Sequence, residues 1–554
     1  MQFLSSVLAA AFASVCLASS CMPSGEPQSS SQTNWYRRCQ SDSECGGLEC
    51  ICGACTKLCS EGVECDDRSF CLAVSDDRAA SFCEGTALVK PVCAQDCDRL
   101  PCNEGMTCKA GICQVLPTPD AIVSVNIAQR YQTLVGFGAS LAYAEGIIVG
   151  RDDKEALYDA LFGELGTDTI RLGNHFEPGG QNEFDDAAVI IEAATMRLGA
   201  RPTLLMSLAS PPPELKANGS KLCRGNPDTC TLIQLEDGSF DYAGFAGFWR
   251  DSLDAYAAAG VFPDYVSIQN NPNWTPPEGS PADACNFLAQ EGTITVGEEG
   301  SETSARIAGY VEAAEAVVAR FDGLDQVPAL FGPETTTLNA IPRYEPVFAS
   351  GLLSAIAIHM YGVDLENPHT DELNAVRALA TYYDLPVFQS EMIAEGLETA
   401  VFIHQATVEA NASTYLQNDF IGGVDAEEPN RNALVQLEEE GFVRQSPYYA
   451  IQHFAARTNP GWVRVNALST SDGLLASAWL APDEDALTLI LLNPGTDSLR
   501  IRLDLEPLRS TLALSEVTRT TFNEALEHSK LGPLAEDGWL DIPAQSAVTV
   551  ALEQ

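Results

Sequence analysis

Tyr265-Val266-Ser267-Ile268-Gln269-Asn270-Asn271-Pro272 and Pro386-Val387-Phe388-Gln389-Ser390-Glu391 are the stretches that decide the fold. Each is a short apolar run that ends on polar side chains. Strands of a (β/α)8 barrel end in this way, because their C-terminal ends deliver reactive groups into one shared mouth. The second run ends on a carboxylate, Glu391. The first ends on two amides, Asn270 and Asn271.

Outward from these two runs the same grammar repeats. Strands are expected over residues 134–139, 169–172, 203–208, 265–269, 329–332, 356–360, 387–390 and 414–417. Between them, Ala-rich segments carry apolar residues at three- and four-residue spacing. These predict helices over 152–165, 187–198, 242–259, 305–320, 371–383 and 397–409. The alternation places an α/β (β/α)8 barrel at residues 120–456. After residue 457 the period changes to strand alternation with no long helix, over 463–467, 475–480, 487–492, 499–503 and 547–552. This predicts a side β-sandwich over 457–554. A strand near 121–128 precedes the barrel and is expected to pair with that side domain.

Cysteines define a third region. Of 19 in the chain, fourteen lie between Cys39 and Cys113. Cys52-Gly53-Ala54-Cys55 has the spacing of a zinc ligand pair, but the region holds no His. The expectation for residues 39–115 is a disulfide module, too small in core to stand without its staples. Two stretches in it, near Cys39 and near Cys93, share a loose Cys-dense pattern and read as a degenerate repeat. The module is either a spacer or a surface that holds a partner. Cys223 and Cys230 are expected to close a small loop, and Cys285 has no obvious partner.

Residues 1–20 read as an export signal, although their start carries no Lys or Arg. Small residues before Cys21 leave two outcomes open: a lipid anchor at Cys21, or ordinary cleavage and release. Residues 21–38 read as a linker. The expected location is therefore secreted or anchored at the cell surface, as a monomer. With 77 acidic against 31 basic residues, the net charge of −46 disfavours nucleic acid and anionic membranes as partners. The six His are scattered, so no metal or other cofactor is expected.

The order of several short motifs narrows the chemistry. Gln132-Thr133-Leu134-Val135-Gly136-Phe137-Gly138-Ala139-Ser140 opens the barrel segment. Ser210-Pro211-Pro212 and Lys216-Ala217-Asn218-Gly219 follow the third strand, and His359 and Tyr361 follow the sixth. Tyr449-Ala450, His453-Phe454 and Pro460-Gly461 with Arg464 mark the joint to the side domain. Together these resemble glycoside hydrolase family 30, the xylanase and glucosylceramidase group, over roughly residues 130–554. The resemblance implies a retaining β-glycosidase fold. It sets Glu391 at the nucleophile position and Asn271 at the acid/base position, where the family has Glu. It also implies that Asn270 bonds the sugar 2-hydroxyl.

The segment 268–286, with Trp274 and Cys285, is most similar to the bacterial xylanase branch. That branch holds a glucuronate partly through basic residues just after strand eight. Here the segment reads Tyr415-Leu416-Gln417-Asn418-Asp419-Phe420, and Asp419 would repel a uronic acid.

A retaining glycosidase needs two carboxyl groups about 5 Å apart, one to attack and one to protonate the leaving oxygen. Asn271 hydrogen-bonds but has no proton to give. Glu278, in the same loop stiffened by Pro276 and Pro277, and Glu334 after strand five are the carboxylates weighed as its replacement. Other expected site residues each have a plainer alternative. His359 and Tyr361 line the site or pack a strand end. Trp274 and Tyr143 stack on sugar rings or anchor loops. Arg171 orients the nucleophile or completes a core ion pair. The functional expectation is a retaining glycosidase-like protein acting on a β-linked cell-wall polysaccharide of xylan type. The alternative is a non-catalytic carbohydrate-binding protein on the cell surface.

Overall fold

A computed structural model describes residues 35–37, 39–60, 65, 69–83, 87–99, 101–102, 106–115, 119–141, 144–180, 184–296, 303–424, 430–505, 508, 512–522, 526–532 and 538–554. The export segment, Cys21 and Tyr143 lie outside the described residues. The chain divides into two compact units, residues 1–118 and 119–554.

In the larger unit eight strands close into a parallel barrel. They are β1 (Gly136–Ser140), β2 (Thr169–Gly173), β3 (Thr203–Ser207), β4 (Tyr265–Ser267), β5 (Ala329–Thr335), β6 (Ala355–His359), β7 (Val387–Met392) and β8 (Ala412–Gln417). Each pairs with the next in sequence, and β8 returns to β1. The expected strand positions and the closed barrel are therefore what the chain adopts.

The inward faces explain the closure. On β6, Ala355, Ala357 and His359 share one face at the two-residue period of a strand, while Ile356 and Ile358 face the helices. Small Ala side chains leave room for Phe331 of β5 and Phe388 of β7, which fill the barrel interior with Leu205 and Leu416. Tyr265 meets Phe388 edge-on at 5.0 Å. The barrel is plugged below and polar only toward its C-terminal mouth. The close approach of β1 to β2 requires Gly138, since a Cβ there would overlap the Thr169 carbonyl oxygen.

One expected helix needs correction. Of residues 305–320, the first part is a strand, Thr303–Ile307, which forms a hairpin with Gly292–Val296. The helix begins only at Tyr310 and runs to Val318. Gly309 is its N-cap, and the alternating Thr-Ser-Ala-Arg-Ile pattern before it follows a two-residue rather than a helical period. The hairpin extends the β4–β5 connection and lies beside the mouth.

The C-terminal strands form one nine-stranded sheet around a single apolar core. Ala121–Thr133 lies within it, antiparallel to Val463–Ser469 and parallel to Leu499–Asp504. The joint to the barrel is polar. Arg464 donates to Gln132 Oε1 at 2.9 Å and to Asn411 Oδ1 at 3.1 Å. Gln132 in turn donates to the carbonyls of Thr407 and Ala412. Burial lowers the Arg464 guanidinium to about 10.

The smaller unit is held by seven disulfides: 39–50, 45–55, 52–83, 59–71, 65–93, 97–108 and 102–113. The repeat read in the sequence appears as two hairpins, Glu49–Ile51 with Ala54–Thr56 and Met106–Lys109 with Ile112–Val115. In each, two neighbouring cross-strand cysteines (Cys50 and Cys55, Cys108 and Cys113) reach back to two earlier ones. Cys223 and Cys230 are paired in the larger unit, and Cys285 is buried and free.

Candidate active site

Five strand ends converge on one guanidinium. Arg171 of β2 is buried, and each of its nitrogens is committed. Nη1 donates to Glu391 Oε2 of β7 at 2.8 Å. Nη2 donates to Asn270 Oδ1 after β4 at 2.9 Å and to Glu334 Oε1 of β5 at 3.2 Å. Nε donates to Ser207 Oγ at the end of β3 at 3.3 Å. Arg171 thus holds the nucleophile candidate and the Asn270 amide on one rigid fork, the geometry a guanidinium provides and a lysine does not.

Glu391 is further oriented by Tyr361, whose hydroxyl donates to Oε1 at 2.7 Å. Burial and the Glu391 charge push that phenol upward, so it stays protonated and keeps donating. His359 of β6 lies between two carboxylates, 3.8 Å from Glu334 Oε1 and 3.9 Å from Glu391 Oε1. Burial alone would raise both carboxyls. Arg171 and His359 outweigh it, holding Glu334 at about 2 and drawing Glu391 below the usual carboxylate range. Both are therefore anionic at neutral pH.

The mouth beside this cluster is a cleft of about 270 Å³. Its walls include Ser140, Asn174, His175, Asn270, Glu391, Asn418 and Asp419. Asp419 accepts from Asn430 Nδ2 at 3.0 Å. Burial, and then Glu391, push its carboxyl upward. Asn418 is fixed by its N–H to the Met392 carbonyl, so Asp419 is carried next to the strand that bears Glu391.

Asn271 is also held rigidly. Its backbone lies in the left-handed region at φ 51°, a conformation Asn tolerates better than most residues. Its N–H donates to the Glu334 carbonyl at 3.1 Å, and its Oδ1 accepts from Thr336 Oγ1 at 3.1 Å. The side chain is 9% exposed. With Oδ1 engaged, the free edge of the amide is the Nδ2 donor.

The carboxylates weighed as replacements for a proton donor are placed as follows. Glu334 is fully buried and held ionised by Arg171, so it has no proton to transfer. It sits at a bulge of β5 with φ 56°, which aims it into the polar layer. Glu278 is exposed and does not line the cleft. Trp274 is half-buried in the turn after Asn271 and is not a wall of this cleft. Arg171, Asn270, His359, Tyr361 and Glu391 are brought together. The sequence offered Glu334 as a replacement acid rather than as a partner of Arg171, and it passed over Ser207, Thr336 and His175. Ser207 stands at a strand end, which is the signal that would have found it. Thr336 and His175 lie in the loops just beyond.

No protein-family model matches this chain, and no curated protein sequence does. Solved structures do. The catalytic domain of the glycoside hydrolase family 30 xylanase C from Talaromyces cellulolyticus is similar at 17% identity and TM-score 0.59, covering 78% of this chain and 100% of that one. The family 30 subfamily 8 xylanase Xyn30A from Clostridium acetobutylicum is similar at 19% identity and TM-score 0.57, covering 78% and 99%. The endo-β1,6-glucanase BT3312 is similar at 14% identity and TM-score 0.56, covering 79% and 96%. The likeness at these identities is one of fold: a closed (β/α)8 barrel with a β-rich C-terminal region.

Proposed function

We propose that this chain is a retaining glycosidase-like protein of the family 30 group, exported and monomeric, that takes a β-linked glycan of xylan type. Glu391 is its nucleophile and Asn271 replaces its general acid. The observation that carries this reading is the state of Glu391: ionised, oriented by Arg171 and Tyr361, and open to a sugar-sized cleft beside Asn270. A Glu391 oxygen attacks the anomeric carbon as the glycosidic bond breaks, and the leaving oxygen keeps the electron pair. Asn270 is placed to bond the 2-hydroxyl. Asn271 Nδ2 donates a hydrogen bond to the leaving oxygen without transferring a proton. The dense disulfides of the N-terminal unit support export.

The cleft selects against acidic sugars. Arg171 and His359 already answer Glu334 and Glu391, and Asp419 adds another carboxyl to the wall, so a uronate would find no free cation there.

An aryl 2-deoxy-2-fluoroglycoside should trap a glycosyl ester on Glu391, read by mass spectrometry of the peptide that contains it. An unlabelled Glu391 in the presence of a bound inhibitor sinks the assignment. The pH profile gives a second check. A carboxylate lowered by its neighbours remains ionised as pH falls, so the acid limb of kcat/KM should lie below the ordinary Glu value of about 4.3. Asn271 does not titrate, so the alkaline limb of a protonated general acid should be missing.

A second reading rests on Asn271 alone. An amide fixed through Thr336 is a good ligand for a glycosidic oxygen, and the chain then binds glycans without cleaving them. Calorimetry with xylo-oligosaccharides, combined with product analysis after long incubation, separates the two: binding with intact ligand favours this reading.

A further inference from the structure

The residues that follow Asn271 wall a second cavity, of about 430 Å³. Asn270 lines the cleft that holds Glu391, whereas Pro272 and Asn273 line this cavity; Asn271, a wall of neither, joins them along the chain. The connection is tight: Asn273 Oδ1 accepts from Thr336 N–H at 3.0 Å, and Thr336 Oγ1 donates to Asn271 Oδ1.

The cavity differs in character from the cleft. Its walls are chiefly Phe287, Leu288, Ile294, Ile307 and Tyr344. The Tyr344 hydroxyl is committed to the Phe287 carbonyl at 2.6 Å, so the ring, not the hydroxyl, is what it offers. Two polar groups are left unanswered. Asn286 gives Nδ2 to Thr275 Oγ1 at 2.6 Å, while its buried Oδ1 has no partner among the described residues. Arg343, exposed on the 3-10 turn Leu338–Tyr344 after β5, makes no ion pair or hydrogen bond among the described residues. An apolar slot with a guanidinium on its wall suits a flat ring that carries an ionised hydroxyl, and the Asn286 acceptor can bond that hydroxyl only once it is protonated.

We propose that this cavity is the aglycone subsite for a phenolic group, and that the xylan-type sugar taken by the cleft is one joined β to an aryl group, which departs as a phenolate. This rests on Glu391 acting as nucleophile. It also explains how a site without a general acid turns over. A phenol ionises near about 10, an alkyl alcohol near water's value of about 15.7, so the phenolate needs no proton on departure. In the first step a Glu391 oxygen bonds to the anomeric carbon, and the phenolate leaves with the electron pair of the broken bond toward Arg343. In the second, water attacks the anomeric carbon and the Glu391 ester bond breaks. The water proton passes to the phenolate, which is released as the phenol.

The test uses the full chain and two probes. The first is 4-nitrophenolate alone, whose binding is followed by its absorbance and by calorimetry. Saturable binding is expected, weakened at least tenfold by Arg343→Ala and by the cavity-filling Ala340→Trp. The second compares 4-nitrophenyl β-xyloside with β-xylosyl fluoride, which has no ring to place. The ratio of their kcat/KM values should fall about tenfold in Arg343→Ala. Phenolate that does not bind, or binds both variants as well as the parent, overturns the proposal, as does an unaltered ratio. If the phenolate binds as expected but neither glycoside labels Glu391, the nucleophile assignment fails and the aglycone role with it, while the phenol site stands.

Discussion

Asn271→Glu is expected to raise kcat/KM on alkyl-linked β-xylan by about 10²- to 10⁴-fold, the usual worth of a positioned general acid. The position is prepared for it. Asn270 next door is locked to Arg171, and Glu391 is already ionised and aligned, so a missing proton is the deficit. The backbone at φ 51° costs a Glu about 1–2 kcal/mol more than a relaxed site, a local strain that the rigid Glu334 carbonyl contact absorbs. The gain should depend on the leaving group: large for an alkyl alcohol, small for 4-nitrophenol, which already leaves unaided. An alkaline limb should appear in the pH profile, because the new carboxyl must be protonated to act. The unaltered chain should also respond to azide. This anion attacks a glycosyl-Glu391 ester without a general base, so adding it should speed turnover and yield a β-glycosyl azide. In Asn271→Glu that acceleration should disappear, since water is then activated. A variant that binds xylan yet stays as slow as the parent, with no new limb, would show that the deficit lies elsewhere, in the placing of the sugar.

The barrel was readable because its strands are apolar runs of the right length that end on polar residues, and each of the eight stands where that rule puts it. The rule failed at residues 305–320, where Ala-rich composition masked the alternation of Thr303–Ile307 and a hairpin replaced the first turns of a helix. In the site, strand-end position exposed Arg171, Asn270, His359 and Glu391, since one residue at the tip of each strand faces the mouth. What sequence did not carry was the state of each group. Glu334 and Glu391 are both strand-end glutamates after apolar runs. Only the geometry separates them: Glu334 is fully enclosed between Arg171 and His359, while Glu391 keeps one edge on the cleft. The second cavity was equally hidden, because its walls come from the β3–β4, β4–β5 and β5–β6 connections, far apart in sequence and close only after the barrel closes.

Arg171→Leu is expected to destabilise the barrel by about 3–5 kcal/mol at neutral pH, the cost of leaving buried carboxylates without their cation. Two anions depend on this one guanidinium. Glu334 is 0% exposed and Glu391 9%, so water cannot take over. The sign with pH follows from the direction of their shifts. Both are depressed in the folded chain, so their pairing stabilises it above the unfolded value of about 4.3, and that support fades as pH falls through the folded values. Without Arg171 the burial that already pushes both carboxyls upward is opposed chiefly by His359. Protonation then relieves the variant, and its deficit against the parent should shrink as pH drops from 7 to 4. Urea midpoints followed by the fluorescence of the buried Trp249 and Trp479 read this directly. The double variant Arg171→Leu with Glu334→Gln should recover part of the loss at pH 7, because removing both members of a buried pair costs less than removing one. The catalytic signature is separate: with Glu391 shifted upward, the acid limb of kcat/KM should move to higher pH, which simple loosening of the fold does not produce. A deficit that is the same at pH 7 and pH 4, with no recovery in the double variant, would mean that Arg171 acts through packing and not through charge.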